Sequence, residues 1–175
     1  MKNILMLDVE ANGLHGEPFA AGAVVLTRDG EIIDTFSGMC PELVTNEWVK
    51  ENVLPELAGL PLYNDTRSLR DDFYTFYMRY KENCETWSDV NWPVETNFLS
   101  AIVQDDPENR QWNMPYPLYD VATQYSVDID RAKHYNEKNS QWILGDVANR
   151  KLKKHNPLDD SLASAFLLLG KGCLK

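Results

Sequence analysis

The sequence predicts an α/β fold with a central mixed sheet flanked by helices, and three observations carry that expectation. Two β-branched runs, residues 21–27 and 31–36, flank Arg28-Asp29-Gly30, an Asp-Gly step of the kind that closes a hairpin. Residues 3–9 precede them as another strand-like run, so three antiparallel strands open the chain. Downstream, helical and strand-like segments alternate up to a last helix that is apolar nearly all round, which suits a helix sandwiched within a layered fold.

The elements follow in order. After the first strand, residues 11–18 read as a loop containing Gly13 and Gly16. Thr45 is placed to cap a helix running to Val53, with Trp48, Val49 and Val53 as its buried side and Pro55 marking its end. Over residues 68–81, Phe73, Phe76, Tyr77 and Tyr80 share one helical face, a stripe that reads as core packing before it reads as a base-stacking surface. Residues 84–90 suit a short strand. Trp92-Pro93-Val94-Glu95 opens a helix carrying Phe98, Leu99, Ile102 and Val103, with Pro93 suited to its first turn. Residues 105–117 hold three prolines and read as a loop, while 118–125 and 143–151 read as helical. Asn156 is a good N-cap, Pro157 suits the first helical position, and the final helix runs over 158–169. With no repeat and no low-complexity linker, residues 1–175 read as one domain.

Composition sets limits. A chain of 175 residues can bury one substantial core but is short for two. Apolar residues are 43% and charged residues 25%, and no run approaches the roughly 18 to 20 apolar residues of a membrane span, so a soluble protein without membrane attachment is expected. Met1-Lys2 leads directly into a strand-like run without the apolar core and cleavage site of a secretion signal. Cys40, Cys84 and Cys173 are far apart and lack CxxC or CxxH spacing, which argues against a disulfide framework and for a reducing cytoplasm. A net charge of -10 disfavours nonspecific attachment to nucleic acid or anionic lipid. It leaves room for an enzyme acting on a polyanion, because divalent cations in an acidic cluster invert the local field.

The local acidic pattern is therefore the informative part. Asp8 and Glu10 stand at i, i+2 where an oily strand ends, so they point to one face and repel unless that face is wet or a cation lies between them. Asp159, three residues after Asn156, suits the cap and the helix dipole. Asp160 lies about 100° further round, on the apolar side of Ala163 and Leu167, where a charge needs a partner. His155 precedes Asp160 by five residues, whereas His15 and His134 read as structural.

LDVEANGL near the start and HNPLDD near the end resemble the first and last motifs of the DEDDh 3′-to-5′ exonucleases, members of the ribonuclease H-like superfamily that include proofreading subunits, oligoribonuclease and ribonuclease T. WVKENVLPEL is similar to small standalone members of exoribonuclease type. The resemblance spans essentially the whole chain and implies a five-stranded mixed sheet of ribonuclease H-like type with helices on both faces. It implies two divalent cations, Mg2+ or Mn2+, about 3.5 to 4 Å apart, with Asp8, Glu10 and Asp160 as ligands and His155 as general base. The implied substrate is single-stranded RNA or DNA with a free 3′ end, released as 5′-mononucleotides, and family members are often homodimers.

The family's middle motif places an Asp at a helix start, four residues after Asn and three before Phe. NWPVETNFL holds Asn91, Glu95 and Phe98 in that register, so Glu95 departs from the expected Asp. Asp89, at the adjacent strand end, has the expected chemistry, and both remain candidates for the middle metal ligand. Arg150, Lys151, Lys153 and Lys154 run into His155 and are suited to hold phosphates, or to form a solvated lysine loop. Two rival readings stay open: an endonuclease of the same fold, and a non-catalytic nucleic-acid- or protein-binding module that has lost its middle ligand.

Overall fold

The computed structural model describes residues 1–125, 135–136, 141–142 and 152–169. Its centre is a five-stranded sheet in the order β3-β2-β1-β4-β5, formed by β1 (Asn3–Ala11), β2 (Pro18–Leu26), β3 (Ile32–Met39), β4 (Cys84–Ser88) and β5 (Tyr119–Asp120). The first three strands pair antiparallel, and β1–β4 and β4–β5 pair parallel. Among the described residues the α-helices are α1 (Glu47–Asn52), α2 (Thr66–Tyr80), α3 (Thr96–Asp105), α4 (Pro107–Arg110), α5 (Val121–Tyr125) and α6 (Pro157–Leu168). Two-residue strands β6 (Tyr135–Asn136), β7 (Gln141–Trp142) and β8 (Leu152–Lys153) form a second small sheet. Among the described residues no helix is long and apolar enough to cross a membrane.

The pleat of β1 sorts the core into two layers. Leu5, Leu7 and Val9 pack with Phe73 and Phe76 of α2 and with Phe98 and Ile102 of α3. Ile4 and Met6 point the other way, into a cluster with Leu162, Ala163, Phe166 and Leu167 of α6. Because strand side chains alternate, Asp8 and Glu10 continue the Ile4–Met6 row and are directed to the α6 side. The terminal helix is sandwiched as its composition implies, with nine of its residues buried, Asp160 among them. A third cluster, including Phe19, Met39, Val49, Val53 and Leu57, seats α1 beside the end of the sheet.

Several local expectations shift for identifiable reasons. The cap of α1 is Asn46, whose Oδ1 accepts the Val49 N–H at 3.3 Å, while the Thr45 N–H instead donates to Asn12 Oδ1 at 2.8 Å. Trp48 consequently faces outward, 58% exposed, and only Val49 and Val53 of the expected trio are buried. Trp92 does not begin a helix. It is extended (φ -112°, ψ 136°), as the residue before a proline tends to be, and α3 starts only at Thr96 after a wide turn. Tyr119 and Asp120 pair with β4 and Leu118 lies just before that strand, so none of the three joins a helix, and the Asp120 carboxylate caps the turn that follows by accepting the Thr123 N–H at 2.7 Å. Within the proline-rich loop, residues 107–110 form the short α4. The helix expected over 143–151, along with His134, Arg150, Lys151 and Cys173, lies outside the described residues.

Candidate active site

Strand β1 delivers Asp8 and Glu10 to the α6 side of the sheet, and the first turn of α6 delivers Asp160 to meet them. One oxygen from each of the three carboxylates lies within 4.8 Å of the other two. Three acidic groups so close, from opposite ends of the sequence, form a hard-oxygen donor set that fits a divalent cation.

His155 stands between α6 and β1. Its backbone N–H donates to Asp160 Oδ2 at 2.9 Å, and its Nδ1 lies 3.6 Å from Glu10 Oε1. Its φ of 64° puts a non-glycine residue in the left-handed region. Burial pulls the imidazole pKa down. The hydrogen bond and charge of Glu10, helped by Asp160, outweigh that and raise it above the usual histidine range. Burial also raises the Glu10 carboxyl, against the opposing pull of His155 and Lys154. Trp48 meets the imidazole edge to face, with ring centroids 5.8 Å apart. A pocket of about 350 Å3 opens beside Glu10 between Leu14, Trp48, Val49, Val94 and His155.

The two middle candidates sit differently. Glu95 is only 6% exposed, and its carboxyl is pushed up to about 8, first by burial and further by the charges of Asp89 and Glu10. The backbone N–H groups of Val9 and of Glu95 itself oppose that rise. Glu95 therefore neighbours both Glu10 and Asp89, although neither Glu95 nor Asp89 belongs to the tight three-carboxylate group. Asn91 acts as a staple: its N–H donates to Asp120 Oδ2 at 2.8 Å and its Nδ2 to the Leu118 carbonyl at 3.0 Å. Phe98 is core, edge-on to Phe73 at 5.1 Å. Of the basic run, Lys153 donates its N–H to Asp159 Oδ2 at 2.9 Å, and the Lys154 charge reaches both Glu10 and His155. His15 is exposed in the loop after β1.

Two residues beside the site, Asn12 and Trp48, give no signal of their place in the sequence alone. Asn12 accepts the Thr45 N–H and donates to the Leu43 carbonyl at 2.9 Å, tying the approach to α1 onto the end of β1. Trp48 lines the pocket as an exposed aromatic, for which a one-residue error in the helix cap hides the signal. A larger cavity of about 440 Å3 beside Lys2, Tyr77, Lys81 and Trp112 lies near the start of β4, away from the carboxylates.

No family model matches the sequence, and no curated protein matches it either. Solved structures do. An exonuclease I from Methylocaldum szegediense superposes with a TM-score of 0.60 at 13% identity, over 97% of this chain and 40% of that one. Another exonuclease I, whose structure was analysed for processivity, gives 0.59 at 12% identity over 94% and 39%. An E. coli exonuclease I in complex with ssDNA and a zinc ion gives 0.53 at 12% identity over 97% and 39%. The chain thus has the ribonuclease H-like fold of these exonucleases and spans about two fifths of their length.

Proposed function

We propose that this chain is a metal-dependent 3′-to-5′ exonuclease that shortens single-stranded RNA or DNA to 5′-mononucleotides. The observation that carries the reading is the convergence of Asp8, Glu10 and Asp160 within 4.8 Å beside His155, on an exonuclease-type fold. In this reading Asp8, Glu10 and Asp160, with Glu95 as the fourth carboxylate, hold two divalent cations, Mg2+ or Mn2+. Such cations stabilise the charge that builds on a phosphate under attack. Glu95 is favoured over Asp89 as the middle ligand because it is buried and repelled by Glu10, an arrangement that a shared positive charge would relieve.

His155 takes the proton of the attacking water. Its orientation is held by Asp160 through the backbone and by Glu10 through Nδ1. While Glu10 and Asp160 act as ligands their hold on the imidazole proton weakens, which leaves His155 closer to the neutral form that a base requires. The pocket walled by Trp48 and Leu14 offers an apolar floor for a terminal base, and Lys154 offers a cation for phosphate.

The chain reads as one ribonuclease H-like unit working in a reducing cytoplasm, which suits the buried Cys40 and Cys84, whose thiols burial pushes up to about 11. Assembly as a homodimer is carried by the family resemblance. The test is digestion of matched 5′-labelled RNA and DNA oligomers with Mn2+ and with chelator. Stepwise shortening in Mn2+ alone supports the reading, and binding without cleavage would replace it with a non-catalytic module.

A further inference from the structure

We infer that Gly22, clasped by Ser161, sets the separation between the β1 carboxylates and Asp160, and with it the affinity of the cluster for a divalent cation. The inference rests on the metal-site reading above and adds to it two positioning residues that touch no ligand.

Gly22 is the cross-strand partner of Asp8. Directly opposed residues in an antiparallel pair present their side chains to the same face, so position 22 looks toward α6, as Asp8 does. What lies there is backbone. A Cβ built on Gly22 would fall 2.2 Å from the Leu158 nitrogen and 2.3 Å from the Pro157 carbonyl carbon. The first turn of α6 therefore rests on bare strand, two residues before Asp160. Ser161 closes the contact, its Oγ donating to the Gly22 carbonyl at 3.2 Å in a buried setting. Glycine inside a strand, which forfeits side-chain packing, is accounted for here by this close approach and not by a turn.

An alanine at position 22 must raise the nearest contact from 2.2 Å to the 3.4 Å or more of ordinary packing, a separation of roughly an ångström. The strand has little freedom to yield, since all nine residues of β2 are buried. The displacement falls on the helix start, and Asp160 and His155 move away from Asp8 and Glu10 together. Metal–ligand distances fall within about 0.2 Å of their preferred values, and loss of a residue that orients ligands typically weakens binding by about 10- to 100-fold.

The experiment is calorimetric titration of the full chain with Mn2+, with folding checked by circular dichroism, for the parent, Gly22→Ala, Ser161→Ala and Val24→Ala. Val24 also packs with α6 but lies beside Met6, away from the carboxylates, and controls for general loosening of that interface. The inference predicts a Kd for Mn2+ raised about 10- to 100-fold in Gly22→Ala, raised less in Ser161→Ala, and unchanged in Val24→Ala. A folded Gly22→Ala that binds like the parent overturns the inference and leaves the metal site standing, as does equal weakening in Val24→Ala. Should Gly22→Ala fail to fold, Ser161→Ala decides: weaker binding supports the inference and an unchanged Kd overturns it. A parent that binds no Mn2+ at millimolar concentration removes the metal-site reading itself, and the inference with it.

Discussion

The backbone N–H of His155 donates to Asp160 Oδ2 at 2.9 Å, so the carboxylate that meets Asp8 and Glu10 also pins the histidine beside them. That bond spans five residues and closes the turn in which His155 takes its φ of 64°. The proposed base and the strained backbone therefore share one loop.

The strain can be separated from the chemistry. His155→Gly and His155→Ala both remove the imidazole, but only glycine occupies the left-handed region without steric cost. Thermal or denaturant unfolding should find His155→Gly more stable than His155→Ala by about 1 kcal/mol. Equal stabilities would mean that the loop relaxes on its own and that the positive φ is not imposed by its surroundings.

Stability should depend on pH and on metal in linked ways. The Glu95 carboxyl rises from 4.5 to about 8 on folding, so between those values the folded chain binds more protons than the unfolded one. Stability contributed by this group is full below pH 4.5 and is lost as pH rises through about 8, at up to about 1.4 kcal/mol per pH unit for one proton. Glu10 and His155, whose pKa values are also raised, act with the same sign. In chelator, the denaturation midpoint should fall from pH 5 to pH 8, and less steeply in Glu95→Gln. Millimolar Mg2+ or Mn2+ should restore it in proportion to RT ln(1 + [L]/Kd). Parallel pH profiles for parent and Glu95→Gln, or no metal effect, would contradict this account.

The middle ligand is open to direct comparison. Glu95→Gln and Asp89→Asn each keep shape and remove charge. The reading predicts that Glu95→Gln loses at least tenfold in metal-dependent turnover while remaining folded, and that Asp89→Asn loses much less. The reverse order in a single-turnover assay would assign the role to Asp89.

Much of this arrangement was legible in the chain because it rests on local rules. The period of two along residues 4–10 puts Asp8 and Glu10 on one face, and Asn156-Pro157 fixes the start of α6 to the residue, which orients Asp160. Features that depend on how elements meet were not legible. A shift of the α1 cap from Thr45 to Asn46 leaves Trp48 facing outward against His155. Whether Glu95 or Asp89 nears Glu10 depends on the wide turn after β4, which the Trp92-Pro93 pair shapes through backbone sterics and not through hydrophobic pattern. Tyr119 and Asp120 read as helix because their pairing with Trp87 and Ser88 is a long-range contact.

In the proposed mechanism His155 serves a cleavage that starts at a free 3′ end. The measurement is a time course on 5′-labelled single-stranded oligomers, RNA and DNA, each with a free or a blocked 3′ terminus, in Mn2+, for the parent and His155→Ala. The expected result is a ladder shortening one nucleotide at a time from free ends, release of 5′-mononucleotides, and no cleavage of blocked substrates. Turnover should fall by about 10² to 10⁴ in His155→Ala with Mn2+ binding retained. Internal fragments from blocked oligomers, or undiminished turnover in His155→Ala, would contradict this mechanism.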